Sequence, residues 1–190
     1  MKLKTLYLTI FFLTSIAYSS YAQLTNLTPI FKVEAGLHGL GLGYELPLND
    51  NWITEFNLHA GGGFNVNPAN EVSFHYEELP SIHLSTGVRR YYNLHKIRRN
   101  PSNNAGNFFG AQIKYVSQGL LQRSDDFELP RINPPIHDVL ITEVHWGTQR
   151  SITNRLFFNA KIGVGYIVDF HNLGSTILPS GGVKLGYRLK

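Results

Sequence analysis

His83 and Ser85 stand two positions apart in the stretch IHLSTG. If this stretch is a β-strand, both side chains project from one face, about 6–7 Å apart along the chain. An imidazole can act as a general base on a serine hydroxyl when a third polar group orients the ring. Glu55 or His59 on the preceding strand could supply that group. The alternative, which we favour, is a hydrogen-bonded polar pair without a catalytic role.

Metal binding is the second chemical function to consider. Because the chain contains no cysteine, its histidines are the first candidate ligands. They stand at positions 38, 59, 75, 83, 95, 137, 145 and 171, without the tight spacing of a zinc motif. Asp125, Asp126 and Glu128 form an acidic patch that could bind a divalent cation, although a solvated loop is the simpler interpretation. The sequence therefore predicts no metal centre and no cofactor.

The elements that must position these residues are β-strands, because apolar and polar residues alternate along most of the chain. The alternating segments are 31–37, 40–46, 51–64, 80–92, 107–118, 137–148, 155–169 and 178–190. Between 37 and 40 the apolar positions change from odd to even, which one strand cannot do without a bulge or a turn. We favour a tight hairpin at His38-Gly39 over a bulge, which brings the number of strands to eight. Phe64 falls on the apolar face, and residues 65–79 are expected to form a long loop.

Alternation alone leaves two kinds of barrel open, one with its apolar face towards lipid and one with that face around a core. Most alternating runs approach the 9–11 residues that a tilted membrane strand needs. Aromatic residues lie near the ends of the runs, as in interfacial girdles: Tyr44, Phe64, Tyr115, Trp146, Tyr166 and Tyr187. We therefore predict an all-β fold, an antiparallel up-and-down transmembrane β-barrel of about eight strands. The alternative is a soluble periplasmic barrel that binds an apolar ligand.

The first 22 residues predict export of the chain. Lys2 and Lys4 precede an apolar stretch, and Ser20-Tyr21-Ala22 has small residues where a signal peptidase cleaves. We expect residues 1–22 to be a cleaved signal peptide and residues 23–190 a single barrel domain. After cleavage 15 of the 17 basic residues remain against 13 acidic ones, a formal net charge of +2. This balance does not support binding of nucleic acid.

The polar face of the strands predicts the content of the barrel. Gly39, Gly41 and Gly43 share this face, and they precede no helix, so GLGLG is not a dinucleotide-binding loop. The interior of an eight-stranded barrel is only just wide enough for side chains to fill. Glycines there leave room for long side chains from neighbouring strands. The expected lumen residues are Lys32, Glu34, Glu45, Glu55, Arg89, Lys114, Glu143, Lys161, Lys184 and Arg188. Because both signs of charge are present, we expect an ion-paired plug, since unpaired buried charges are costly.

Three stretches, GLGLGYELPLNDNW, FFNAKIGVGYIV and the closing GGVKLGYRLK, resemble the small, eight-stranded outer-membrane β-barrel proteins of Gram-negative bacteria. The resemblance covers essentially all of residues 30–190. It implies a location in the outer membrane, contact with membrane lipid and lipopolysaccharide, and loops that meet any extracellular or periplasmic partner.

The function expected from this resemblance is non-enzymatic: structural, adhesive or narrowly conductive. Outer-membrane phospholipases and lipid A deacylases use a histidine and a serine spaced like His83 and Ser85. A lipid-modifying barrel hydrolase is therefore the alternative. IHLSTG lacks the asparagine and alanine that follow the serine in the deacylases, and we place no catalytic residue on this resemblance.

Overall fold

A computed structural model of the protein describes residues 27–66, 71–75, 81–94, 104–117, 137–171 and 173–189. This part of the chain forms ten β-strands. They are β1 (Ile30–Gly36), β2 (Gly39–Pro47), β3 (Trp52–Gly61), β4 (Gly63–Val66), β5 (Val72–His75), β6 (Ser81–Tyr91), β7 (Gly106–Val116), β8 (Val139–Ser151), β9 (Leu156–Asp169) and β10 (Ser175–Leu189). The predicted signal peptide (residues 1–22) and the acidic patch at 125–128 lie outside the described residues.

Eight of these strands close into an antiparallel barrel in the order β1-β10-β9-β8-β7-β6-β3-β2. Strands that follow one another in this meander pair side by side, and β1 pairs with β10 to close the ring. The predicted all-β fold and the eight-stranded antiparallel barrel are confirmed. The hairpin near His38 is also confirmed, with Leu37 and His38 as the turn and Gly36 paired with Gly39.

Short side chains in two turns explain how the chain reverses at one end of the barrel. The Asn49 side chain accepts hydrogen bonds from the backbone N–H groups of Asn51 and Trp52. The Thr153 hydroxyl accepts from Arg155 and Leu156 in the turn between β8 and β9. Such local bonds from Asn and Thr compete with strand ladders and so favour turns. We call this end, where β1 begins, the N-terminal rim.

The opposite end carries a second small sheet that the sequence did not predict. Residues 65–79 were expected to be a loop, but β4, which begins at Gly63, and β5 pair as an antiparallel hairpin that extends into this segment. Phe64 was expected on the apolar outer face and is instead buried. The reason is a break at Gly62, after which the chain leaves the barrel wall and folds over its mouth. We call this end the hairpin rim.

Two apolar clusters lie inside the barrel near its rims, in addition to the ion-paired charges that the sequence predicted. At the N-terminal rim the cluster consists of Leu27, Ile53, Tyr91, Leu94 and Phe108. At the hairpin rim it consists of Phe64, Val66, Val116, Val139, Ile141 and Ile167. Most of these residues occupy inward-facing strand positions, with the same parity as the charged ones. The interior is therefore layered, with charged groups between two apolar plugs.

Close packing, against backbone at one position and against side chains at the other, explains two of the inward glycines. Gly39 has a φ of +128°, a conformation that other residues rarely adopt, and a Cβ there would lie 2.1 Å from the Ala60 carbonyl oxygen. A Cβ on Gly43 would lie 2.7 Å from both Lys32 Cε and Asn57 Oδ1. The prediction that glycines make room for long side chains is met at this second position.

No helix in the described residues is long and apolar enough to cross a lipid bilayer.

Candidate functional site: the charged interior of the barrel

The strands bring all ten charged residues of the predicted lumen to the inner face of the barrel. Seven of them are buried: Lys32, Glu34, Glu45, Glu55, Arg89, Glu143 and Arg188. Lys114, Lys161 and Lys184 are partly buried. The residues on either side of each one along its strand are exposed or half-buried, so the period of two places every second side chain inside.

Lys32 is the centre of the charged layer. Its Nζ lies 2.8 Å from Glu34 Oε1, 2.7 Å from Glu45 Oε1 and 2.9 Å from Glu55 Oε1. The ammonium donates hydrogen bonds to Glu45 and Glu55. Three carboxylates therefore meet at one fully buried ammonium, and further cations are needed to balance them.

Arg89 supplies the second positive charge. Its guanidinium forms a close ion pair with Glu55 Oε2 and lies 3.7 Å from Glu45 Oε1. The same guanidinium lies 4.8 Å from the centre of the Phe108 ring, at the boundary with the apolar plug. Lys184 balances the third carboxylate, with Nζ donating to Glu34 Oε2 at 2.8 Å.

Amide side chains complete this network, and the sequence analysis missed them. Gln149 donates from Nε2 to Glu45 Oε1 at 3.3 Å, and its Oε1 accepts from Asn159 at 3.0 Å. Asn104 donates to Glu45 Oε2 at 2.8 Å and exchanges two hydrogen bonds with the Thr28 backbone. Gln149 and Asn159 share the inward parity of their strands, which could have identified them. Asn104 precedes β7, where no periodicity points to it.

A second polar cluster surrounds Glu143, closer to the hairpin rim. Lys161 forms a close ion pair with Glu143 Oε1, and the Ser180 hydroxyl donates to Glu143 Oε2 at 2.6 Å. His145 Nδ1 lies 2.9 Å from Glu143 Oε1. Lys114 faces the same region, but it forms no salt bridge with any residue that the structure describes.

His83 and Ser85 both face the interior, and each is engaged in a hydrogen bond. His83 Nε2 lies 2.7 Å from the Gly62 carbonyl oxygen, so this nitrogen carries the proton. Ser85 accepts a hydrogen bond from Asn57 Nδ2 at 3.2 Å. Neither of the proposed orienting residues is bonded to His83: Glu55 pairs with Lys32 and Arg89, and His59 lies 3.4 Å from Glu34.

His38 is the histidine at the turn of the first hairpin. Its ring packs against Phe64 and Phe74 of the hairpin that covers the barrel mouth, with ring centres 6.1 and 5.5 Å away. Burial lowers the pKa of His38 to about 3, and the positive charge of Lys114 adds to this effect. The imidazole is therefore neutral over the physiological range of pH. Within the described ranges, no group of three or more His, Asp or Glu side chains is placed to hold a metal ion.

Fold and interior together define a closed eight-stranded antiparallel β-barrel with ion-paired charges inside and apolar side chains outside. Comparison with known protein families, with curated protein sequences and with solved structures found no match to this chain.

Proposed function

We propose that the protein is a non-enzymatic integral barrel of the outer membrane of a Gram-negative bacterium. One observation carries this proposal. Along the eight described barrel strands, the outward positions hold two charged residues, Arg90 and Arg150, and both lie near the N-terminal rim. The inward positions hold eleven, which are the ten predicted lumen residues and Asp169 at the end of β9. This is the inverse of a water-soluble barrel, and it suits a wall that faces lipid.

The remaining outward positions support the same proposal. Many are large apolar side chains that are more than one-third exposed, such as Leu40, Ile113, Val144 and Ile162. Two outward threonines turn their hydroxyls back to the backbone: Thr54 donates to the Gly87 carbonyl oxygen at 3.0 Å, and Thr142 donates to the Tyr166 carbonyl oxygen at 3.5 Å. A hydroxyl with an internal partner costs little in hydrocarbon.

Aromatic and basic side chains gather at the N-terminal rim. Arg90 lies 5.9 Å from the ring centre of Trp52, and Tyr92 packs against Phe109 at 5.5 Å. Trp146 donates from its indole nitrogen to the Tyr92 hydroxyl at 2.8 Å. Amphipathic rings of this kind sit at the level of lipid headgroups. We therefore assign this rim to one membrane interface, on the periplasmic side where the chain begins.

The lengths of the strands match the thickness of the apolar part of a bilayer. Strands β3, β6 and β7 have 10, 11 and 11 residues. Ten residues at about 3.3 Å each, tilted by about 40°, rise about 25 Å, which matches the apolar band of outer-membrane barrels.

The filled interior favours a structural or adhesive role over a conducting one. The buried cluster around Lys32 and the apolar plugs at both rims lie inside the barrel. An ion would have to displace the paired charges, which is costly in an interior of low dielectric constant. Contacts with lipopolysaccharide and with any extracellular partner would then be made at the hairpin rim.

Membrane fractionation with heat-modifiable gel migration tests the proposal. The protein is expressed with its full N-terminus, inner and outer membranes are separated, and samples are run with and without boiling. We expect it in the outer membrane, with faster migration of the unboiled form. Recovery as a soluble protein without detergent would contradict the proposal and favour the soluble barrel.

Planar bilayer recording and a lipid assay separate the remaining alternatives. We expect no discrete current steps from the folded protein and no release of acyl chains from phospholipid or lipopolysaccharide. Acyl release that is lost in Ser85→Ala but kept in Thr86→Ala, the outward neighbour, would instead identify the hydrolase.

A further inference from the structure

The wall of the barrel is uneven where it closes. β1 has 7 residues, whereas β10 has 15. Their pairing runs from Phe31 with Leu189 to Gly36 with Lys184 and stops there. Residues 175–183 pair with β9 on one side, and on the other side no strand of the described chain meets them. Within the described part of the chain, a strand edge without a partner therefore interrupts the wall near the hairpin rim.

A cavity of about 420 Å³ lies beside this edge. Phe64 and Phe74 line it from the covering hairpin, and the Leu37-His38 turn lines it from below. Its lining includes inward-facing Gly182 and outward-facing Val183, so it reaches from the interior to the outer face of β10. Volumes of this size are typical of sites that hold small organic ligands.

Small residues keep the cavity open on the β10 side. A Cβ on Gly182 would meet nothing closer than Lys161 Cε at 4.0 Å. A Cβ on Gly181 would meet nothing closer than the Lys161 carbonyl oxygen at 3.6 Å. These two positions differ from Gly39 and Gly43, where close packing excludes a side chain. Close packing therefore does not require glycine at 181 or 182. Because glycine has no side chain, these two positions leave the cavity open beside β10.

The charge lining the cavity is positive. Lys114, Lys161 and Lys184 line it from three strands, and Glu143 is the carboxylate among its described lining residues. The charges of Lys161 and Lys184 repel that of Lys114, and Glu143 attracts it. Glu143 is already bonded to Lys161 and Ser180. Lys114 therefore projects into the cavity without a salt bridge to any described residue, and an acidic group bound there would relieve the repulsion.

The outer surface beside the opening is apolar. Leu37, Ile177, Val183 and Leu185 are exposed there by 62%, 71%, 47% and 56%. A ligand with an acidic head and an apolar tail fits both parts, with the head among the lysines and the tail against these side chains.

We infer that this cavity is a binding site for an amphiphile with an acidic headgroup, a phosphate or a carboxylate, which enters sideways between β10 and β1. The inference rests on the proposed membrane location, because entry from the side requires that the outer face meets lipid. It adds a ligand site to a barrel that is otherwise closed.

The test uses ligands that share a tail or a headgroup. The full barrel is folded in dodecyl maltoside, its heat-modifiable migration is verified, and it is titrated by calorimetry with decyl phosphate, decanoate, decylphosphocholine and inorganic phosphate. We expect saturable binding of decyl phosphate and decanoate at one per barrel. Decylphosphocholine and inorganic phosphate should bind at least tenfold more weakly.

Variants connect the binding to the cavity. Lys114→Gln should weaken binding of decyl phosphate at least tenfold, whereas Arg90→Gln, which removes a positive charge at the far rim, should change it less than twofold. Gly182→Leu should block the cavity, and Gly182→Ala should bind like the parent protein. Lys114→Gln should also leave the unliganded barrel at least as stable, because it removes a partly buried charge without an ion pair. If Lys114 had only a structural role, Lys114→Gln would instead lower the stability of the unliganded barrel.

Several outcomes would overturn the inference. Equal binding of inorganic phosphate would show a site for free anions without sideways entry. Equal binding of decylphosphocholine, or equal binding to Lys114→Gln, would show that the lysines do not select the headgroup. Absence of saturable binding to a barrel that keeps its heat-modifiable migration would overturn this site alone. Recovery from cells as a soluble protein would overturn the proposed function on which it rests.

Discussion

Lys32 occupies the space that a side chain on Gly43 would need: a Cβ at position 43 would lie 2.7 Å from Lys32 Cε. The two residues face one another across the β1–β2 ladder as register partners. The absence of one side chain thus makes room for the ammonium that joins three carboxylates. Packing and electrostatics in the barrel are therefore coupled at this pair.

Gly43→Ala should destabilise the barrel by about 1–3 kcal/mol, because the added methyl group must displace Lys32 or Asn57 from a filled interior. Gly182→Ala is the matched control, since its Cβ would meet nothing within 3.9 Å. The control should be neutral or more stable by about 0.4–1 kcal/mol. Urea titration of both variants in phospholipid vesicles, read by gel migration, measures the difference. Equal stabilities would contradict the role given to Gly43.

Lys32→Met should cost about 3–5 kcal/mol, because it keeps the volume of the side chain but leaves the buried carboxylates without their shared ammonium. Adding Glu45→Gln to this variant should recover part of the loss, since the amide removes one negative charge and can still hydrogen bond. The two variants are compared by urea titration. A loss below about 1 kcal/mol for Lys32→Met would show that the cluster does not hold the barrel together.

Val144→Arg tests which solvent surrounds the wall. Val144 lies in the middle of β8 and is 64% exposed on its outer face. In a bilayer an arginine at mid-depth costs about 2–4 kcal/mol, and near an interface about 0–1 kcal/mol. Ile152→Arg, in the turn at the N-terminal rim, is the matched control. Folding yields and urea midpoints in vesicles should fall for Val144→Arg and remain unchanged for Ile152→Arg. Equal behaviour of the two would favour a soluble barrel.

His38 should make the barrel less stable in acid. Its pKa is lowered to about 3 in the folded protein because of burial, whereas an unfolded histidine has a pKa near 6.5. Below pH 6.5 the unfolded chain binds the extra proton, so stability falls as the pH falls towards 3. Between pH 7.5 and 5 this group contributes a loss of up to about 2 kcal/mol. His38→Gln should remove that part of the slope in urea titrations across this range. An unchanged slope would assign the acid sensitivity to other groups.

The sequence by itself determined the class of fold and which charged side chains face the interior. A period of two along segments of ten or so residues suffices for this, because successive side chains of a strand point to opposite sides. The same period placed the ten charged residues inside, and the change of parity between Leu37 and Leu40 revealed the first hairpin. These are local properties, and they do not depend on which strands become neighbours.

Only the tertiary structure decided which charged residues pair with one another, where the chain leaves the barrel wall and which strand edge stays open. Lys32 and Arg89 both pair with Glu55 because β1, β2, β3 and β6 lie side by side in a particular register, and the alternation along one strand cannot predict that register. Phe64 turns inward because the chain leaves the wall at Gly62, a change of path that alternation cannot reveal. The open edge of β10 arises because β1 is shorter than its partner, a difference between two strands 150 positions apart (Glu34 to Lys184). Pairwise register and relative strand length are relations between distant residues, so they appear once the barrel closes.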